Sequence, residues 1–402
     1  MLPIGGYIVH LKKNVERPVI AHISTYLPRK CGIGFYTKQL LDSMGSSRFN
    51  HLIVAVDDAK PRYQYDNPVR FVINASVPSD YVDAAEFLNK SQTSVVSLQH
   101  EYGIFGGDLG RYVLDFSSSL KKPLVTTFHT VLRNPSRPAR MILSELASRS
   151  SYVVVTLRKA AQLIADVYGV LKSKVRVIQH GAPLATERDP SVEKKQLCLS
   201  GRLILSTAGF LSPAKGIQYG IRAVKTLGKK YPNIIYIVVG ETHPSIRSHE
   251  GEAYRKRLRD LTSDLGLAQQ VMFINRFVSE EELAKFLRVA DVYVAPYLGR
   301  DQVSSGTLTR AIAYGKPIVA TPTLFAKETL ALERGLFCKF EDAKSIARQV
   351  DRILSDPTLK RRLEVRAKRY GKRVGWQQAA DNYAKLFNKV VEVQTIHRLY
   401  EL

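Results

Sequence analysis

The chain of 402 residues holds three cysteines, Cys31, Cys198 and Cys338, scattered along its length. No CxxC pair or other metal-ligand spacing occurs, and a reducing compartment is the simplest inference. Long apolar runs are missing too. Such runs as Ile234–Val239, and those near Leu203–Leu205, are strand-length at most, against the roughly 20 apolar residues a spanning helix needs. Met1–Pro18 lacks an apolar core with a small-residue cleavage site, so it does not read as a signal peptide. The expectation is a cytoplasmic protein, soluble or resting on a membrane as a peripheral one. No Asp-x-Asp pair sits at a strand end with its usual loop, so no catalytic metal and no other cofactor is expected; Asp57-Asp58 reads as a turn. Acids are scarce, 36 against 60 Lys plus Arg, for a net charge of +24. Such an excess invites an anionic partner, whether nucleic acid, an anionic membrane or a phosphorylated substrate, although a solvated basic surface would also produce it. The aromatic-interleaved basic surface of single-strand binders is not visible, which disfavours nucleic acid.

What is present is alternation. The hydrophobic fraction of 45% is ample for two cores. Twelve apolar, β-branched runs read as strands: Val19–Ser24, Leu52–Val56, Val69–Ile73, Ser94–Gln99, Leu124–Phe128, Tyr152–Thr156, Val175–Gln179, Leu203–Ala208, Ile234–Val239, Val271–Ile274, Val292–Ala295 and Pro317–Ala320. Helical patterns lie between them, among them Phe35–Met44, Ala139–Arg149, Arg158–Tyr168, Ile217–Lys230, Glu252–Leu265 and Glu280–Val289. Strand–helix alternation means α/β architecture with parallel sheets covered on both faces. Twelve strands exceed one doubly wound sheet, and the polar stretch Ala185–Gln196 is the best break. The expected plan is a Rossmann-like unit over 1–184, a linker over 185–200, a second such unit over 201–375, and a terminal helix over 376–402. Ligands are expected in the cleft between the two units.

Residues 296–322 carry the strongest local signal. A strand ending at Pro296 runs into a polar loop, a helix opens at Ser304, Ser305, Gly306 and Thr307, and that helix stops at Gly315 before the next strand. Small residues at a helix start leave backbone N–H groups bare at the positive end of the dipole, a seat for phosphate. Earlier, the strand Leu203–Ala208 runs into Gly209, with Lys215-Gly216 just before another helix. Lys215 can hold a phosphate by point charge, or it can be an ordinary surface lysine with Gly209 a plain turn.

The ordered set of motifs resembles a known family. Gly209-x-x-x-Pro-x-Lys-Gly, Val239-Gly240, Phe277-Val278-Ser279, Ala290-Asp291-Val292 with Pro296, Gly315-Lys-Pro and Glu328 are similar to the C-terminal half of group 1 glycosyltransferases, retaining nucleotide-sugar enzymes of family 4 with the GT-B fold. Thr25-Tyr-Leu-Pro-Arg-Lys-Cys-Gly-Ile-Gly-Phe looks like the family's first loop, Phe128-His129-Thr130 like its strand-end histidine, and Val177-Ile-Gln-His180-Gly181 like its interdomain Val-Ile-Pro-Asn-Gly. The likeness spans roughly residues 19–387, and it implies that the terminal helix over 376–402 crosses back to the first unit.

The resemblance implies roles. Phe277 and Val278 would lie against the nucleobase. Lys215 and the amides of Ser304–Thr307 would hold the diphosphate. Gly32 and Gly34 would let backbone approach the donor where a Cβ would clash, and His129 would face the transferred sugar. Two departures stand out. The family's paired glutamates fall on Gln302 and Arg310, and its Gly-Arg-Leu reads Gly209-Phe210-Leu211 here. Glutamine can still hydrogen-bond sugar hydroxyls, whereas arginine has no acceptor for a ribose. One expectation is that Arg310 replaces the lost positive charge across the site; another is an unusual donor mode, or none.

In Gln99-His100-Glu101-Tyr102, Glu101 or His100 would touch the acceptor hydroxyl, or the segment is a capped strand end. His10, His22, His51, His249 and His397 read as structural or surface residues, and His243 stays open. Lys360, Arg361, Arg362, Arg366, Lys368, Arg369, Lys372 and Arg373 crowd one helical stretch with only Glu364 opposing. That is a solvated face, or, with Arg133, Arg137 and Arg140, a contact for an anionic membrane or lipid-linked acceptor. The expected function is transfer of a hexose, with mannose from GDP-mannose as the specific form, from a nucleoside-diphosphate sugar to a glycan or lipid-linked acceptor. The rivals are a sugar-nucleotide epimerase, a phosphorylase, and a degenerate member used for binding.

Overall fold

The computed structural model describes residues 17–58 and 63–400, with side chains as far as 396 in the last helix. Residues 1–16, with His10, and the side chain of His397 lie outside the described residues. Seven strands form the first sheet: β1 (Val19–Ser24), β2 (Asn50–Asp57), β3 (Val69–Asn74), β4 (Thr93–His100), β5 (Leu124–Phe128), β6 (Tyr152–Val155) and β7 (Val175–Val177). All pair in parallel, in the order β3-β2-β1-β4-β5-β6-β7. The second sheet holds β8 (Leu203–Ala208), β9 (Ile234–Val239), β10 (Val271–Ile274), β11 (Val292–Ala295), β12 (Ile318–Ala320) and β13 (Leu336–Phe337), again parallel, in the order β10-β9-β8-β11-β12-β13. Helices separate successive strands except β2 and β3, between which no helix is described, and the central strands are buried on both faces. All six residues of β9 are buried, as its unbroken apolar run requires.

Both sheets reverse strand order once, between β1 and β4 and between β8 and β11. At such a switch point the flanking connections leave in opposite directions, and a crevice opens outside the carboxyl ends. β1 ends into the segment 25–34, β4 into Glu101, β8 into Gly209–Lys215 and β11 into 296–305. The motifs read from sequence therefore stand at the two crevices, with His129 beside them at the end of β5.

The chain crosses between units twice, and the crossings are zipped together. Ala182 donates to the Val374 carbonyl at 2.8 Å, and the Trp376 amide donates to Ala182 at 3.0 Å. A Cβ on Gly181 would collide with the Trp376 ring. The helix Trp376–Tyr400 then packs on the first sheet. Its Trp376, Tyr383, Phe387 and Val390 share a core with Ile20, Tyr36, Leu40, Phe49 and Val125.

Three elements depart from the sequence reading. The first helix begins at Gly32 rather than Phe35. β13, a two-residue strand, escaped a search for longer apolar runs. The polar stretch Ala185–Gln196 also contains a helix, Pro190–Gln196, capped by Asp189. Its Glu193 is buried and forks onto Arg288, with bonds of 2.6 and 2.8 Å. Both side chains are 4% exposed, so this stretch is anchored to the second unit by a desolvated ion pair. Stranding one charge of such a pair costs about 3–5 kcal/mol, and because Arg288 keeps a bond of 2.9 Å to the exposed Glu281 the lower end of that range applies. Glu193→Ala should lower unfolding stability by about that amount, and adding Arg288→Met should restore most of it. Urea unfolding of the two variants checks both statements.

Candidate functional site

The second unit supplies a cationic seat. Gly209 takes φ +114°, where a Cβ would come 3.2 Å from Thr307 Cγ2 and 3.7 Å from Lys215 Nζ. Gly216 at φ +62° ends the turn Pro213–Lys215, and a Cβ there would strike the Pro296 carbonyl. The two glycines thus let three loops close around Lys215, whose ammonium lies 4.1 Å from the centre of the Tyr297 ring. Among the described residues, no carboxylate comes within ion-pair distance of that ammonium. The Tyr297 hydroxyl meets Thr307 Oγ1 at 3.0 Å and Tyr293 at 3.3 Å. Burial pushes Tyr297 up, but the Lys215 charge and the Thr307 bond outweigh it and leave the hydroxyl below its ordinary value.

The helix Gly306–Ala313 starts beside this group. Ser305 is its cap and accepts from the Leu308 amide at 3.3 Å, so that hydroxyl is already used. The amides of Gly306 and Thr307 belong to the first turn, which has no intrahelical partner to offer them. Ser304 reaches the other unit and donates to the His129 carbonyl at 3.3 Å. Gln302 donates its amide to the Ser304 carbonyl at 2.9 Å, which fixes the loop and leaves its Oε1 as an acceptor.

The first unit brings up His129, Glu101 and Tyr36. His129 Nε2 meets Gln99 Oε1 at 2.9 Å, so Nε2 carries the proton and Nδ1 is the acceptor. Burial, with His180 and His100 adding to it, pulls the ring down to about 3, and it is neutral at pH 7. Glu101 is half-buried; it accepts from Thr130 Oγ1 at 2.7 Å and from the Tyr102 amide at 3.0 Å. Burial raises its carboxyl against those two bonds. Tyr36 sits edge-on to His129, His180 and Trp376 and bonds the Tyr383 hydroxyl at 3.1 Å.

Several expectations are corrected. Arg310 is not a free cation across the site. It forks onto Glu280, from the helix Glu280–Val289, and also bonds the Gly306 carbonyl. Only one of the two first-loop glycines is crowded: a Cβ on Gly34 would come 3.2 Å from the Thr25 carbonyl, while Gly32 faces open space. Gly34 thus packs against Thr25, and the surface over Gly32 is open. Phe277 and Val278 stand at the cleft, but one face of Phe277 is taken by Phe35 of the first unit, stacked at 5.2 Å and 19°. Lys30 leans over the same ring and pairs with Glu241 at 3.1 Å. His100 lies in a ring of aromatic neighbours, Tyr102, Phe105 and Phe128, and among the described residues neither ring nitrogen has a partner. The basic helix has more than Glu364 opposing it. Lys360 pairs with Asp291, Arg362 and Arg366 with Glu333, and Lys368 with Glu187.

Tyr36, Tyr297, Gln99, Thr130 and Glu280 escaped the sequence reading. Tyr297 had a usable signal, since it follows Pro296 at a strand end. The others become recognisable only through partners far away in the chain. Among the described residues, no cluster of three or more His, Cys, Asp or Glu is placed to hold a metal, and no helix is long and apolar enough to cross a membrane.

Two facing parallel α/β units with loops gathered at their switch points define the GT-B architecture, and known structures agree. The chain superposes on sucrose-phosphate synthase from Thermosynechococcus elongatus with a TM-score of 0.78 and 18% identity, covering 94% of this chain and 100% of that one. It also superposes on Anabaena HepE in complex with UDP and glucose, with a TM-score of 0.74 and 16% identity, covering 92% and 99%. Residues 32–186 match the family model for glycosyltransferase family 4, and residues 190–372 match that for glycosyl transferases group 1. The chain belongs to the group 1 glycosyltransferases. It is 28% identical over 305 residues to a D-inositol 3-phosphate glycosyltransferase of Acidothermus cellulolyticus, covering 70% of this chain and 64% of the relative. It is 28% identical over 232 residues to a GDP-mannose-dependent alpha-(1-6)-phosphatidylinositol monomannoside mannosyltransferase of Mycolicibacterium smegmatis, covering 54% and 57%. The aligned region spans 64%, 62% and 61% of three inositol-phosphate glycosyltransferase relatives.

The buried histidines make the fold sensitive to acid. Burial pulls His100 down to about 3 and His180 to about 4, and His22 also falls well below the ordinary 6.5. The unfolded chain therefore binds protons that the fold refuses, and stability should drop as pH falls from 6.5 toward 3–4. His100→Phe, which keeps a ring among aromatic neighbours, should reduce that slope by about 1.4 kcal/mol per pH unit between pH 4 and 5.5. Denaturant titrations at several pH values check it.

Proposed function

We propose that this protein transfers a hexose, with mannose as the specific form, from a nucleoside-diphosphate sugar to the hydroxyl of a glycan or lipid-linked acceptor, with retention at the anomeric carbon. The observation that carries the reading is the Lys215 ammonium held beside Gly209 and Thr307 where the helix Gly306–Ala313 opens, with Ser304 joining that opening to His129. Negative charge grows on the leaving diphosphate as the glycosidic bond breaks. Lys215 and the first-turn amides meet it, and one preorganised donor of this kind is worth ~3–4 kcal/mol of barrier. No metal is needed in this scheme, because a lysine and a helix start supply the positive charge. The neutral His129 ring would line the sugar pocket and Glu101 the acceptor side. In a retaining reaction of this type the acceptor attacks on the face the leaving group vacates, with no protein nucleophile.

The named relatives support an acceptor that carries phosphate, and the net charge of +24 fits a cytoplasmic protein that meets an anionic membrane peripherally. Arg137, Arg140, Arg369, Lys372 and Arg373, which make no ion pair among the described residues, are the groups that would face it. A thermal-shift series with UDP-, GDP- and ADP-sugars tests the donor. One of them should raise Tm, and Lys215→Ala should weaken that ligand by at least about tenfold, as loss of one charge-assisted contact implies. No shift with any of them would refute the donor reading and favour a binding or scaffold protein. Isomerisation of the donor without acceptor would instead favour an epimerase.

A further inference from the structure

Three glutamates in a row, Glu280, Glu281 and Glu282, open the helix Glu280–Val289, and they do different work. Glu282 closes the cap with Ser279 and pairs with Arg276. Glu281 turns to the buried Arg288. Glu280 is needed for neither, and its carboxylate turns to Arg310, with Arg310 Nε at 3.0 Å from Oε2 and Nη2 at 2.6 Å from Oε1.

The position of this pair is informative. Arg310 Nη1 donates to the Gly306 carbonyl at 3.2 Å. A Cβ on Gly306 would find that same Nη1 at 3.0 Å and His180 Nε2 at 3.5 Å. The guanidinium thus stands at the opening of the candidate phosphate helix, against the interdomain crossing. Glu280 lies three residues beyond Phe277. Its side chain is 43% exposed, against 11% for Arg310. The arginine therefore occupies one lone pair on each oxygen, fixes both in space, and leaves the others facing solvent.

We infer that Glu280 accepts hydrogen bonds from the two ribose hydroxyls of the nucleotide donor, with Arg310 as the residue that positions it. This rests on the nucleoside-diphosphate reading above. Two fixed carboxylate oxygens match two adjacent hydroxyls. In a nucleoside diphosphate the 2′,3′-diol lies between the base and the phosphates; Glu280 follows Phe277 by three residues and is tied through Arg310 to the start of the helix at Gly306. A bare carboxylate so near a diphosphate would repel it. The paired guanidinium cancels that charge without consuming the acceptors.

Calorimetry on the full chain tests this, with UDP, GDP and ADP first, then the 2′,3′-dideoxy counterpart of the nucleotide bound best. The wild type should prefer the ribonucleotide by about tenfold to hundredfold, the range for hydrogen bonds to a charged group. Glu280→Gln should reduce that preference. Glu280→Ala, and the double variant Glu280→Gln with Arg310→Met, which leaves no buried guanidinium unpaired, should abolish it. Affinity for the dideoxy form should stay unchanged in the double variant and should not fall in the single ones, where the uncancelled Arg310 charge favours a diphosphate. An undiminished preference in the variants, or equal weakening of both forms, overturns the assignment of Glu280 while leaving the donor reading intact. Failure of the wild type to bind any of the three nucleotides overturns the donor reading itself, and this inference with it.

Discussion

Parallel strands deliver all their carboxyl-end loops to one edge of a sheet, and helical connections must leave that edge on one face or the other. Where the strand order turns back, adjacent loops diverge and leave a gap. This chain contains two such places, β1/β4 and β8/β11, and the pairing of Ala182 with Val374 and Trp376 holds the two units together at their crossing segments. The candidate site hangs on that arrangement. Lys215, Gly306, His129 and Glu101 come from four separate strand ends, yet Ser304 on one unit reaches a backbone carbonyl on the other.

The electrostatics of the cleft follow from how its charges are disposed. A chain with 60 basic residues could flood any crevice with positive charge. Here Arg310 is matched to Glu280, Arg133 to Asp301 and Lys30 to Glu241. Lys215 has an aromatic face below it instead of an acid. The buried histidines stay neutral, because desolvation makes their charged forms too costly. Among the described residues, Lys215 is thus a localised cation beside a helix start, an arrangement suited to a compact anionic group.

Much of the architecture was legible because buried parallel strands write continuous apolar runs. β1, β5, β8, β9, β10 and β11 have the bounds their sequences suggest. The glycine and lysine loops were legible for a similar reason, since close backbone approach demands particular residues at particular spacings. Pairs formed across the fold were hidden. Nothing in the Ala185–Gln196 stretch announces that Glu193 is buried, because Arg288 lies 95 residues away. Arg310 looked like a misplaced charge until Glu280, 30 residues earlier, supplied its acid. His100 looked reactive beside Glu101, but strand alternation turns it into an aromatic pocket on the other side of β4. A linear reading sees residue types and local period; it does not see which distant side chain satisfies them.

The returning helix Trp376–Tyr400 has a bearing on biosynthesis. Its Trp376, Tyr383 and Phe387 complete the apolar wall formed by Ile20, Leu40, Phe49 and Val125, residues translated near the beginning of the chain. While the ribosome is still making the second unit, the first carries that wall uncovered. A nascent chain of this design exposes a contiguous sticky surface until its final turns emerge, which makes it a client for chaperones during synthesis. Messages truncated before the last helix should yield a first unit that aggregates, not a smaller working one.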